Sequence, residues 1–319
     1  MESIVVRPLT GQVAFRAVSA TDSEERCAEA LERGAPVVFF QAVPPRGAIE
    51  NPGARVVWIP MWDQAKDYPQ GWWDELPKWI RIVAFSDAVA ARACAAGLPV
   101  LHLRYFEDPA THDPASWDGG RVALYWNRSG LVGPRFLRRL CDTLDIELLL
   151  FRSATDPGTP AEATYALPER LGDTEVRELM GFMPREKYLE MARPANVFLA
   201  PRMCEGVGMT FLEALARGCA VFAYDGPTMN EYITHGEDGF LLKTRRRRSM
   251  PMRVVRRQLR RLRRIRGRFE HPVSDDQDWP ALSALDLAGL GGEARKRHEA
   301  GYEEWQRGIP EYARFILDW

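Results

Sequence analysis

The feature that most constrains this chain is a recurrence of short, largely apolar runs, each followed by a stretch with helical spacing. In the first third these runs are Val37–Phe40, Val56–Pro60, Ile80–Phe85 and Val100–Leu103. A run without polar alternation fits a strand covered on both faces, as in a parallel sheet flanked by helices. Helical stretches lie between the runs. Glu24–Arg33 ends at Gly34, a residue suited to closing a helix, and Ser86-Asp87 opens a helix that reaches Ala96 and Gly97. Two further β-like runs, Ile4–Val6 and Val13–Phe15, flank Thr10-Gly11 near the start. Strands alternating with helices imply βαβ units.

The alternation breaks once, at Asp108–Gly120, where the sequence reads DPATHDPASWDGG. This stretch is rich in Pro, Gly and Asp and is the linker expected between domains. Beyond it the pattern resumes with a strand at Val122–Trp126, a helix at Pro134–Leu144 and a strand at Leu148–Phe151. A helix at Glu186–Ala192, a strand at Val197–Ala200, a helix at Thr210–Ala216 and a strand at Ala220–Tyr224 follow. A chain of 319 residues accommodates two domains. The expectation is an α/β protein of two Rossmann-like domains with a cleft between them.

Composition excludes several other classes. Hydrophobic residues at 46% and charged residues at 27% describe a globular chain, neither disordered nor collagen-like. No stretch approaches the length of a membrane-spanning helix, and a basic flank with an apolar run is missing at the N-terminus. Five cysteines without a CxxC pair fit buried thiols in a reducing compartment. The expected location is therefore cytoplasmic, with a peripheral position at the inner membrane face as an extension of that reading.

That extension comes from charge. The formal net charge is −1, yet Lys243–Arg268 holds thirteen arginines, one lysine and no acid, which leaves −15 for the rest. Met252, Val255, Leu259 and Leu262 recur at helical steps within this segment, so it reads as an amphipathic helix with an arginine outer face. Three readings stay open for Arg245–Arg268: a solvated structural helix, a contact with an anionic membrane surface, or a contact with nucleic acid.

The segment richest in chemistry is Pro201–Leu242, PRMCEGVGMTFLEALARGCAVFAYDGPTMNEYITHGEDGFLL. It follows a strand and opens a helix. Gly206 and Gly208 permit close backbone approach, and the free amides of a helix start make an anion site aided by the dipole. Glu205 precedes the helix and Glu213 lies eight positions later, about 12 Å along the axis. Two carboxylates so spaced can each bind a vicinal diol, one at either end of a nucleotide-sugar diphosphate. They are too far apart to share a metal.

This segment resembles the retaining GT-B glycosyltransferases, especially the GT4-like group, whose signature is a Glu, seven residues and a second Glu. The order FLEALARGCAVFAYD, GPTMNE, HGEDGFLL agrees with that group, as does the approach MGFMPREKYLEMARPANVFLAPRMCEG. The resemblance is strong over about Arg177–Leu242. It implies a GT-B fold and transfer of a sugar from a nucleotide-sugar with retention, needing neither metal nor other cofactor.

It also implies residue roles. Glu205 meets the donor hexose as a catalytic-site residue, and the amides of Val207, Gly208, Met209 and Thr210 hold the diphosphate beside Gly206. Glu213 takes the ribose, and the backbone around Phe182 and Met183 meets the base. Arg128, in Asn127-Arg128, matches a phosphate-binding arginine. The lysine that follows it in the family is absent here, and Arg135, two positions late, is the substitute.

On the acceptor side, Gly11 is the candidate for the family's glycine turn. Trp62 and Asp63 follow a strand at the ligand-binding end of the sheet, with Asp63 placed to accept a proton from an acceptor hydroxyl. Trp58, Trp72, Trp73 and Trp79 cluster with Trp62 as either sugar-stacking faces or core. The expected division is an acceptor domain at 1–112, a donor domain at 119–301, and a helix at 302–319 crossing back to the first domain. The acceptor, the sugar and the oligomeric state are not specified by the sequence. Two other functions remain: a sugar-nucleotide epimerase on the same fold, and a polyanion-binding protein or DNA-modifying glycosyltransferase using the arginine segment. Asp276-Gln277-Asp278 spells the metal motif of an unrelated transferase fold, but it sits in a polar loop and carries no metal expectation.

Overall fold

The computed structural model describes residues 9, 29–30, 33–155, 161, 164–179, 184–245 and 271–319. The expected elements Ile4–Val6 and Val13–Phe15, most of Glu24–Arg33, Gly11, Phe182, Met183 and Arg246–Arg268 lie outside the described residues.

The first sheet is four-stranded and parallel in the order β1 (Val37–Phe40), β2 (Val56–Ile59), β3 (Arg81–Ala84), β4 (Val100–His102). All four residues of β2 are buried, as its unbroken apolar run requires. Short helices α1 (Arg46–Ile49), α2 (Trp62–Ala65) and α3 (Gln70–Asp74) lie in the connections. Helix α4 (Asp87–Ala95) is capped by Ser86, whose hydroxyl accepts from the Val89 amide at 3.2 Å.

The second sheet has seven strands: β5 (Val122–Asn127), β6 (Leu148–Ser153), β7 (Arg170–Leu171), β8 (Thr174–Glu178), β9 (Val197–Leu199), β10 (Ala220–Tyr224) and β11 (Phe240–Leu242). Their order is β11-β10-β9-β5-β6-β8-β7, and only the β7–β8 pair is antiparallel. The chain leaves β5 toward β6 on one side and later places β9 on the other side. Strand β5 is thus the switch point, where open α/β sheets bind ligands beyond the carboxyl ends of their strands. Helices α5 (Pro134–Leu144), α6 (Arg185–Ala192), α7 (Met209–Arg217), α8 (Met229–Tyr232) and α9 (Trp279–Ser283) serve this half.

The last helix, α10, runs unbroken from Leu287 to Leu317, through Pro310. It starts 15 residues before the segment expected to cross back. Its glycines mark close approaches: a side chain at Gly291 would overlap the carbonyl of Gly218 at the end of α7, and one at Gly301 would overlap the Phe106 ring. Farther along, the Trp305 ring packs edge-on to Phe85, centroids 6.0 Å apart. Arg81 donates to the carbonyls of Phe315, at 2.6 Å, and Asp318. One helix therefore packs on both sheets.

The larger of two core clusters among the described residues runs through both halves. It joins Val57, Ile59, Val83 and Phe85 of the first sheet to the strands and helices of the second. A second cluster sits on the other face of the first sheet, around Trp58 and Trp73.

Candidate functional site

The site is built at the start of α7, where the chain leaves β9. Gly208 caps the helix at φ +79°, and a side chain there would overlap the Phe211 ring. Only glycine takes this left-handed geometry without cost. The first bonds that close the helix come from the Phe211 and Leu212 amides, each 3.1 Å from the Gly208 carbonyl. The Met209 and Thr210 amides precede them, in the turn where helix donors lack partners of their own. Both are half-buried, and Val207 and Gly208 are buried.

Glu205 and Glu213, the two carboxylates of the motif, are both buried, at 8% and 6% exposure. Each is held by a different arginine. Arg202 Nη1 stands 3.6 Å from Glu205 Oε2 and 3.5 Å from Asp63 Oδ2. Arg185 Nη2 stands 2.7 Å from Glu213 Oε1 and 3.7 Å from Glu107 Oε1. Burial pushes the Glu213 carboxyl above the usual carboxylate range, Arg185 opposes that rise, and the Glu107 charge adds to it. Burial acts the same way on Glu107, but the His112 ring, 3.2 Å from its carboxylate, and the charges of Arg185 and His298 together hold it lower.

The first domain closes over this turn. A side chain at Gly206 would stand 2.8 Å from Met61 Cβ and 3.1 Å from Asp63 Oδ1, so glycine lets the β2–α2 loop lie against the motif. Asp63 Oδ1 is buried without a hydrogen-bond partner among the described residues. Nearby, the Glu231 carboxylate accepts from the Asp87 amide at 2.7 Å and the Ala88 amide at 3.3 Å, joining the second half to the start of α4. The hydroxyl of Tyr232 donates to the Tyr105 carbonyl at 3.2 Å.

At the carboxyl ends of β5 and β6, the Arg128 and Arg152 guanidiniums lie 4.5 and 4.3 Å from the Trp126 ring centroid. Arg152 also approaches the Tyr188 ring, at 5.5 Å. Arg135 is exposed on the first turn of α5. Arg152, from the neighbouring strand, stands beside Arg128 on the Trp126 ring. Sequence spacing does not reveal it, because strand pairing, with Trp126 opposite Arg152, sets the proximity.

Among the residues expected on the acceptor side, Asp63 joins the turn that carries Glu205 through Arg202. Trp62 instead packs on the second core cluster, with Arg92 5.6 Å from its ring centroid. Trp58 and Trp73 are buried and stacked at 5.2 Å, and Trp72 meets both edge-on. Three of the tryptophans are thus packed against one another. Asp278 caps α9 by accepting from the Ala281 amide, and Gln277 bonds the Lys243 backbone, so the Asp276–Asp278 loop has structural duties. Among the described residues, no group of three His, Cys, Asp or Glu side chains is arranged to hold a metal. No helix among them is long and apolar enough to cross a membrane.

Residues 167–251, which include this turn, match the family model described as glycosyl transferases group 1. Alpha-maltose-1-phosphate synthase of Mycolicibacterium smegmatis is 31% identical over 103 residues. That match covers 31% of this chain and 26% of the relative, so it spans about a quarter of the relative's length. Similar solved structures extend over nearly the whole chain. Sucrose-phosphate synthase from Thermosynechococcus elongatus superposes with a TM-score of 0.54 at 14% identity, covering 95% of this chain and 81% of its own. A glycosyltransferase from Rickettsia africae gives 0.56 at 11% identity, with 96% and 85% coverage. HepE of Anabaena, in complex with UDP and glucose, gives 0.53 at 14% identity, with 92% and 83% coverage. The fold is GT-B.

Proposed function

We propose that this chain, a GT-B protein carrying a glycosyl transferases group 1 segment, moves a sugar from a nucleotide-sugar to an acceptor with retention at the anomeric carbon. The observation that carries the reading is the turn at Gly208, which sets helix-start amides between two buried carboxylates, Glu205 and Glu213. A diphosphate suits the amides, and the two carboxylates suit the hydroxyl pairs at its two ends. The relative solved with UDP and glucose supports a donor of this kind.

In this reading Glu205 binds the hexose, the Val207–Thr210 amides and Arg128 receive the diphosphate, and Glu213 binds the ribose. The backbone at Phe182 and Met183 meets the base. The leaving diphosphate is stabilised where its charge grows, by amide dipoles and arginine, so the chemistry calls for no metal. Asp63 accepts the acceptor proton. It shares Arg202 with Glu205, which ties the acceptor-side loop to the donor motif. The division into an acceptor domain, a donor domain and a helix returning to the first is part of the same proposal.

Calorimetry with UDP, GDP and ADP on the wild type and Glu213→Ala tests it. One nucleotide binds, and the substitution weakens it about tenfold to a hundredfold, the worth of a charged hydrogen bond. No binding of any of the three, or affinity unchanged by the substitution, overturns the assignment. With an acceptor found, proton NMR of the product reports retention, and undiminished turnover in a chelator reports metal independence. Nucleoside diphosphate released only when acceptor is present separates transfer from epimerisation.

A further inference from the structure

Arg185 occupies a position that local helix energetics do not favour. It is the first residue of α6, where a cation faces the positive end of the helix dipole. Its side chain extends instead to two carboxylates from distant parts of the chain, Glu213 at 2.7 Å and Glu107 at 3.7 Å. Exposure is graded across the three: the arginine side chain is 55% exposed, Glu107 17% and Glu213 8%. A half-exposed guanidinium thus reaches inward to the most buried acid of the cleft. Glu107 is itself fixed, with His112 Nε2 3.2 Å from its carboxylate and the His298 ring 2.7 Å from its carbonyl.

A buried carboxylate without a cation tends to take up a proton, because burial disfavours the charged form. A protonated acid is a poor acceptor for a diol. We propose that Arg185 is the positioning residue of this site: it holds Glu213 by Oε1 as an oriented carboxylate, leaving Oε2 to accept hydrogen bonds from a vicinal diol, while Glu107 tethers the guanidinium from the other side. The inference rests on the donor reading above for the identity of the diol, the ribose of a nucleoside diphosphate. The pair itself does not depend on that reading. The titratable and charged groups facing Glu213 are Arg185 and Tyr188 from α6 and Glu107 and His112 from the segment after β4. His298 of α10 stands behind Glu107.

Two measurements on the full chain test this, with Arg185→Gln, Arg185→Lys and the double variant Arg185→Gln/Glu213→Gln. The first needs no ligand. Loss of the cation raises the folded-state pKa of Glu213 further, so the contribution of that carboxyl to stability is lost as pH rises through it. The melting temperature of Arg185→Gln therefore falls more steeply than that of the wild type between about pH 5 and about pH 8. The double variant abolishes the extra slope and Arg185→Lys restores the wild-type profile. The second measurement is calorimetry with whichever of UDP, GDP and ADP the wild type binds. Affinity of Arg185→Gln drops about tenfold to a hundredfold more than that of the wild type as pH falls from about 8 to about 6. Parallel melting profiles for wild type and Arg185→Gln overturn the proposal, as does nucleotide affinity lost equally at every pH. A wild type that binds no nucleotide, with the melting profiles as expected, removes the ribose as the diol and leaves the pair standing.

Discussion

Gly208→Ala is the substitution whose consequences the structure fixes most closely. Gly208 sits at φ +79°, in the left-handed region, and caps α7. Placing a Cβ there costs about 1–2 kcal/mol in backbone conformation. That Cβ also overlaps the ring of Phe211, which is buried at 1% exposure and packed in the main core. Overpacking of this kind costs a further 1–3 kcal/mol or so. Together these give about 2–5 kcal/mol, and at about 2–4 °C per kcal/mol for a large domain the melting temperature falls by about 4–20 °C. Relief of that strain moves the turn that carries the Met209 and Thr210 amides, so in the proposed donor site nucleoside diphosphate affinity falls at least about tenfold, one charge-assisted hydrogen bond's worth. Differential scanning fluorimetry and calorimetry at a temperature where the variant is folded measure both. A variant that melts within about 1 °C of the wild type and binds the nucleotide equally would falsify the claim that this turn shapes the anion site.

Trp73 has 0% exposure and stacks on Trp58 at 5.2 Å. Trp73→Ala is therefore expected to cost about 3–5 kcal/mol of stability while leaving nucleotide affinity unchanged at a temperature where it is folded. Denaturant titration beside calorimetry checks this, and an affinity loss without a stability loss places the tryptophans in a ligand site instead. Glu107 has its carboxyl held lower than usual, the His112 ring and the charges around it outweighing its burial, so it adds stability above its unfolded pKa that is lost as pH falls through the folded value. Glu107→Gln should flatten the acid limb of a melting-temperature profile. An acid limb as steep as that of the wild type refutes the pairing with His112 and Arg185.

Much of the architecture follows from local pattern. The largely apolar runs became the strands β1 to β4, and the unbroken run of β2 is the one buried at every residue, as a strand covered on both faces requires. Helix α5 spans the expected Pro134–Leu144, where Pro134 opens it and buried Phe136, Leu137, Leu140, Cys141 and Leu144 recur on one face. Other elements left no such trace. Strand β8, TEVRE, is mostly polar near a sheet edge and borrows its order from β6. Helix α10 contains five glycines and a proline, which read as interruptions in a sequence. Three of those glycines mark places where it presses against Gly218, Phe106 and Leu103.

By itself, then, the sequence determined the two α/β halves and the turn that sets Glu205 and Glu213 on either side of a helix start, because strand covering, helix spacing and glycine geometry all act within a few residues. The arginine segment Arg246–Arg268, the most conspicuous charge feature, lies outside the described residues. Which cation meets which acid was decided only by tertiary structure. Arg185 is 28 positions from Glu213 and Arg202 is 139 from Asp63, and long flexible side chains carry no periodic signature of their partners. The strands and the cleft bring them within 4 Å, where burial makes the pairing matter.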